Sequence, residues 1–184
     1  MWAFEFRPKL MMRGHTCCSD QLRKGMQIAA KDNNYEMVES FLRCPGMDVN
    51  HGYGSQRTPL YIASRENHTR VVEILLADAG TDVNQEVNGE NALIAATDRG
   101  YLKVVEILVG HSEIDTNIGK RGSQGSPLFL ASVKGYSDIV KILLKQPQIE
   151  VNAAFGHLKR DRAHMMSAIL FLLLLDPPLS SFGL

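Results

Sequence analysis

The sequence predicts an all-α solenoid of stacked helix–turn–helix units joined by short β-hairpin loops. A small residue recurs with spacings of 34, 33 and 35 residues, at Ala29, Ala63, Ala96 and Ala131. Twenty residues after each alanine lies a turn position that an asparagine follows: Val49, Val83, Thr116 and Val151. Between these positions lie the similar apolar segments MVESFL, VVEILL, VVEILV and IVKILL. A period in this range is typical of supersecondary units that stack on their neighbours.

The segment 58–84 shows the repeated unit most clearly. Thr58 followed by Pro59 predicts a helix start, because threonine caps first-turn amides and proline has no amide hydrogen to leave unpaired there. Apolar residues within 71–76 recur at helical spacing and predict a second, amphipathic helix. Gly80 and the Asp-Val-Asn turn then end the unit. One such helix pair cannot bury its apolar side alone, so the fold requires neighbouring copies.

Three of the units open with a similar tetrapeptide: TPLY at 58–61, NALI at 91–94 and SPLF at 126–129. Together with the repeated asparagine turn, these tetrapeptides resemble the Thr-Pro-Leu-His signature of the ankyrin repeat family. The resemblance extends over residues 26–152 and implies an ankyrin repeat solenoid of four repeats. The signature histidine is replaced by Tyr61, Ile94 and Phe129.

The repeat pattern divides the chain into three regions. Residues 1–20 lack a clear period and are expected to form an N-terminal arm. Residues 21–152 are expected to form the repeat domain, with units at about 21–50, 51–84, 85–117 and 118–152. Residues 153–184 depart from the pattern as an apolar C-terminal segment.

The composition excludes several classes of protein. Twenty basic residues balance twenty acidic residues, whereas nucleic-acid-binding proteins usually carry a clustered basic excess. The three cysteines, Cys17, Cys18 and Cys44, lack the spacing of a disulfide framework. Charged residues interrupt the first ten positions, so no apolar core of a signal peptide is present there. The expected compartment is therefore the cytosol or the nucleus.

No catalytic pattern is present. The sequence contains no GxSxG, no glycine-rich phosphate loop followed by lysine, and no HExxH. His15, Cys17 and Cys18 have no second ligand pair at the spacing of a zinc site. We therefore expect a non-catalytic protein without a metal or another cofactor.

The resemblance implies a partner protein, of unknown identity, held on a concave surface. In the family this surface consists of the hairpin tips and the exposed face of each first helix. Carried over by position, it comprises Tyr53, Ser55, Arg57, Arg65, Glu66, Val87, Asn88, Glu90, Asp98, Arg99, Arg121, Ser123, Val133 and Lys134. Apolar members can anchor a partner side chain, and arginines can bind its carboxylates through two bonds. The alternative is that these charges only keep an outer face solvated.

The asparagines of the turns suggest a modification. Asn50, Asn84 and Asn152 each follow a valine, with an acid two residues before and a leucine eight before. This pattern resembles the site that asparaginyl hydroxylases modify in some ankyrin proteins. The alternative is an asparagine that bonds the backbone of its own turn, which explains the residue without an enzyme.

The segment Met165–Leu175 contains one polar residue, Ser167, and Asp176 ends the apolar run. A helix of that length rises roughly 16 Å, about half of a bilayer core, so it is too short to span a membrane. It could instead pack on the fourth unit, or bind a partner, a second copy or a membrane surface. It could also be the atypical end of a longer protein. The alternative functions are therefore a membrane-associated or self-associating protein, or a fragment of a larger ankyrin-containing protein.

Overall fold

The computed structural model describes residues 20–52, 57–119 and 125–150, and within them the chain forms eight α-helices. In chain order these are α1 (Asp20–Lys31), α2 (Tyr35–Leu42), α3 (Pro59–Arg65), α4 (Thr69–Leu76), α5 (Ala92–Arg99), α6 (Leu102–Val109), α7 (Pro127–Lys134) and α8 (Ser137–Leu144). A single antiparallel bridge joins Val87 and Glu90 in the described part of the loops. The prediction of an all-α repeat solenoid is confirmed.

The helices form two parallel layers. The first helices of the four pairs, α1, α3, α5 and α7, contact one another in sequence, as do the second helices α2, α4, α6 and α8. Each first helix also packs on the second helix of its own pair. The core runs continuously between the layers, since equivalent side chains are buried in every pair. Its fully buried members include Ala63, Ala96 and Ala131 from first helices and Val38, Val72, Val105 and Val140 from second helices.

Three of the first helices begin with the same side-chain cap. Thr58, Asn91 and Ser126 lie at equivalent positions, and each accepts a bond from the amide three residues later. The donor–acceptor distances are 3.1 Å to Tyr61 N, 2.8 Å to Ile94 N and 3.3 Å to Phe129 N. The helix start predicted at Thr58 and Pro59 is confirmed, because the cap satisfies an amide that has no partner within the helix.

One or two residues after the end of each first helix lies a residue in the left-handed backbone region. These equivalent residues are Asn33, Asn67, Gly100 and Gly135, with φ of 57°, 63°, 72° and 74°. Asparagine and glycine are the residues that adopt this conformation most readily. The space around the two glycines differs. A Cβ added at Gly100 would lie 2.8 Å from the ring of Tyr136 in the next pair, whereas one added at Gly135 would meet nothing within 4 Å.

Asparagine side chains join each of the repeated turns to the next one. Nδ2 of Asn84 donates to the carbonyl oxygen of Glu113 at 2.7 Å, and its Oδ1 accepts from the amide of Asp115 at 2.8 Å. The same two bonds run from Asn50 and Asn117 to the turns that follow them. The bond within each turn comes instead from the aspartate, since Oδ1 of Asp48, Asp82 and Asp115 each accepts from the amide two residues later. The alternative expected from the sequence was an asparagine that bonds the backbone of its own turn, whereas these side chains bond the following turn.

Candidate functional site

A cavity of about 520 Å³ opens where the ends of α3 and α5 meet the loops that precede the first helices. We call the surface around this cavity, formed by α3, α5, α7 and the loops before α3 and α5, the first-helix face. Five residues that the sequence analysis placed on the partner-binding surface line the cavity: Arg57, Arg65, Glu90, Asp98 and Arg99. The cavity thus brings charged groups of both signs from neighbouring helix pairs to one place.

One wall of the cavity is an ordered chain of three side chains. The hydroxyl of Tyr61 donates a hydrogen bond to a carboxylate oxygen of Glu90, and the guanidinium of Arg57 lies 5.1 Å from the centre of the Tyr61 ring. A cation at this distance over an aromatic face is attracted by the negative ring face. Burial, then the bond to Glu90 and its charge, raise the pKa of the Tyr61 hydroxyl above the usual 10.0, while Arg57 and Arg65 act in the opposite direction.

The opposite wall is fixed by a contact between helices α5 and α7. Nζ of Lys134 lies 2.8 Å from Oδ1 of Asp98 and donates to the Asp98 carbonyl oxygen at 2.6 Å. Both side chains are 38% exposed, so the ion pair lies at the rim and water screens it partly. The carboxylate of Asp98 consequently has a positive partner within the protein itself.

Two more guanidinium groups, those of Arg65 and Arg99, line the cavity. Within the described part of the chain, Arg65 and Arg99 have neither a hydrogen bond nor an ion-pair partner, although both line the cavity. Arg65 is half-buried at the end of α3, and Arg99 is exposed at the end of α5. Arginine presents planar donors that suit carboxylate oxygens. These two side chains are therefore the cationic groups of the cavity that can bind an external ligand.

The floor of the cavity is apolar. Ile94, Ala95 and Leu130 line it, and Ile94 and Leu130 form a small buried cluster with Ile118. None of these three residues was predicted from the sequence, and neither was Tyr61. The signal was present, because Tyr61 and Ile94 are two of the three residues that replace the signature histidine. Their place in the cavity could be recognised only from the structure, because the cavity lies between neighbouring helix pairs.

The other predicted surface residues divide into three groups. Val87 and Asn88 line a second cavity of about 670 Å³ together with Asn50 and His51. Glu66, Val133 and Lys134 are exposed near the ends of first helices and line neither cavity, and Val133 is 64% exposed. The last group lies outside the described residues: Tyr53, Ser55, Arg121 and Ser123. Partner binding by the whole set stays a prediction.

The turn asparagines occupy positions that bear on the predicted modification. The side-chain amides of Asn50 and Asn84 each bond the following turn through both their nitrogen and their oxygen. Asn152 lies outside the described residues. Modification of the three asparagines stays a prediction.

The described residues contain no group of three or more metal-ligating side chains, and no helix among them is long and apolar enough to cross a membrane. His68 makes a structural contact, with Nε2 2.9 Å from the carbonyl oxygen of Lys31 in the preceding pair. The N-terminal arm, with Cys17 and Cys18, and the segment Met165–Leu175 lie outside the described residues.

The repeated helix pairs, their common caps and the asparagine bonds between turns define a helical-repeat protein. A family model described as ankyrin repeats, in three copies, matches the chain in overlapping stretches at residues 10–87, 26–120 and 79–154. The chain therefore belongs to the ankyrin repeat family. Domains of this family are generally protein-interaction modules and typically are not catalytic. Comparison with curated proteins gives no match.

Proposed function

We propose that this protein is a non-catalytic module that binds a partner protein on its first-helix face. This face corresponds to the concave surface that the family resemblance implies. The observation that supports the proposal is the cavity, which gathers Arg57, Arg65, Glu90, Asp98 and Arg99 from separate helix pairs. A concave site with a few convergent polar groups is the usual form of a binding site.

The order already present in the cavity walls favours binding. Tyr61 and Glu90 hold one wall through their hydrogen bond, and Lys134 holds Asp98 in the other wall through two contacts. Side chains that are already fixed lose little conformational entropy when a partner arrives. The arrangement therefore suits recognition of a surface by a preformed site.

The experiment that tests this function is affinity capture from a lysate of the source cell, with the full chain as bait. A second bait carries Arg65→Glu and Arg99→Glu in the first-helix face. The control bait carries Arg70→Glu and Lys103→Glu, which make the same change in net charge on the exposed side of α4 and α6. Circular dichroism and thermal unfolding establish that all three baits are folded.

We expect a protein that the unmodified and control baits retain and the first-helix variant loses. Reversal of two cations at the centre of a contact places like charges against the partner, which costs several kcal/mol. Equal capture by all three baits would exclude the first-helix face as the contact surface. The apolar segment Met165–Leu175 would then be the next surface to test by truncation.

A further inference from the structure

We propose that the cavity on the first-helix face binds the carboxylate of an acidic residue in an exposed segment of the partner protein, with Arg65 and Arg99 as its ligands. The inference rests on the proposed function and specifies the chemistry of the partner. It follows from which charged groups of the cavity are already engaged and which are not.

The two acids that line the cavity are both engaged within the protein. Glu90 accepts the hydrogen bond of the Tyr61 hydroxyl, and Asp98 is paired with Lys134. Neither carboxylate forms an ion pair with Arg65 or Arg99, which have no hydrogen-bond or ion-pair partner in the described part of the chain. The cavity has cationic donors left for a ligand, and an anion is the complementary group.

The position of Arg57 adds to this positive charge. Its guanidinium lies over the Tyr61 ring, and the same ring is bonded to Glu90 at its hydroxyl. The positive charge of Arg57 thus lies at the cavity edge, beside Tyr61. A carboxylate that enters the cavity therefore meets guanidinium groups on both α3 and α5 and a third on the loop before α3.

The apolar floor strengthens an ion pair formed above it. Ile94, Ala95 and Leu130 are 1%, 6% and 9% exposed, so they offer an inbound carboxylate no competing polar atom from their side chains. Attraction between opposite charges is larger near a low-dielectric surface than in open water. A bond between a partner carboxylate and Arg65 or Arg99 is accordingly stronger here than at a flat, fully hydrated surface.

The test is selection of random peptides displayed on phage against the full chain, followed by binding measurements with synthetic peptides. We expect the selected sequences to share an aspartate or a glutamate. For the strongest synthetic peptide, replacing that acid by the matching amide should weaken binding about tenfold or more, as expected for loss of a bidentate charged contact.

Variants of the protein then locate the contact. Arg65→Ala and Arg99→Ala should each weaken binding of the acidic peptide about tenfold, and Arg65→Lys should recover only part of it, because lysine keeps the charge without the planar donor pair. Arg70→Ala, on the second-helix layer, is the matched control and should leave the affinity unchanged. Higher salt should weaken the acidic peptide more than its amide analogue.

The outcomes separate this inference from the function on which it rests. Peptides that lack a shared acid, but whose binding is lost in the Arg65 and Arg99 variants, would overturn the acidic partner and leave the binding face in place. Acidic peptides that bind all variants equally would place the contact elsewhere and count against both proposals. Failure to select any peptide would also overturn the acidic partner, while lysate capture tests the function separately.

Discussion

The hydroxyl of Tyr61 donates a hydrogen bond to the carboxylate of Glu90, and this bond joins the first helix of one pair to the loop that leads into the next. Tyr61 occupies the signature position where the family has histidine. At the equivalent place one pair later, Ile94 makes an apolar contact with Ile118 and Leu130 instead. The same position thus contributes to both the polar wall and the apolar floor of the cavity.

Tyr61→Phe should lower the free energy of unfolding at neutral pH by about 1–2 kcal/mol, because the variant leaves the half-buried carboxylate of Glu90 without this donor. Denaturant unfolding gives this difference. Tyr35→Phe is the control, since the Tyr35 side chain is 43% exposed and its hydroxyl has no bond to a described residue. Equal stability of the Tyr61 variant and the unmodified protein would show that the bond is not stabilising.

The change of the unfolding free energy with pH should also depend on Tyr61 in alkaline solution. The pKa of the Tyr61 hydroxyl is higher in the folded protein than its usual value of 10.0. The stabilisation that the protonated hydroxyl contributes is therefore complete below pH 10.0 and is lost as the pH rises through the higher folded pKa. Tyr61→Phe should therefore remove part of the decline in unfolding free energy above pH 10.0. Unfolding measured in parallel at rising pH tests this. A decline of the same steepness in both proteins would contradict it.

Asn84→Ala should destabilise the fold by about 1–2 kcal/mol, because it removes both bonds to the following turn and leaves a carbonyl oxygen and an amide to water. Gln85→Ala is the neighbouring control, since the Gln85 side chain bonds only the adjacent Glu86 carbonyl oxygen at 3.4 Å. Chemical denaturation of the two variants provides the comparison. Similar losses in both would indicate that the bonds between turns add nothing.

Gly100→Ala should destabilise the protein more than Gly135→Ala. Both variants force a side chain into the left-handed region, which costs roughly 1 kcal/mol. Only Gly100 also lies against the Tyr136 ring, at 2.8 Å from a built Cβ, so the ring must move. Thermal unfolding of the two variants measures the difference. Equal effects would mean that Tyr136 moves away without loss of packing.

The ion pair of Asp98 and Lys134 should contribute little to stability. Both side chains are 38% exposed, and ion pairs of that kind are worth about 0.2–1 kcal/mol. A double-mutant cycle with Asp98→Ala and Lys134→Ala should give a coupling energy in that range. A coupling of several kcal/mol would show that the pair supports the packing of α5 on α7 and does more than orient the cavity rim.

The fold could be predicted from the sequence because the residues that determine it recur at a regular spacing. Equivalent alanines and valines recur at one spacing, and Thr58 with Pro59 carries the chemistry of a helix start in its own side chains. These features depend on residues close together in the chain. The all-α repeat architecture and the start of α3 were therefore predicted from the amino acids alone.

The charged residues of the cavity could be predicted from their positions in the repeat, whereas the contacts between its side chains could not. Arg65, Asp98 and Arg99 were chosen from their places at the ends of first helices. The pairing of Tyr61 with Glu90 depends on how far one loop reaches across its neighbour, which no local pattern encodes. A substituted signature residue is itself a useful signal, since the side chain that replaces the histidine faces the same inter-unit space.

The asparagine bonds have a consequence for how such a chain can lengthen. Asn84 bonds a carbonyl oxygen and an amide of the following turn, and Asn117 bonds the equivalent backbone atoms one turn later, on Gln148 and Glu150. The recognised atoms belong to the main chain, so these bonds place no demand on the side chains of the next turn. A tandem duplication of 85–117 would find matching partners at both of its junctions. Gene duplication can therefore extend the stack without any compensating substitution in these turns.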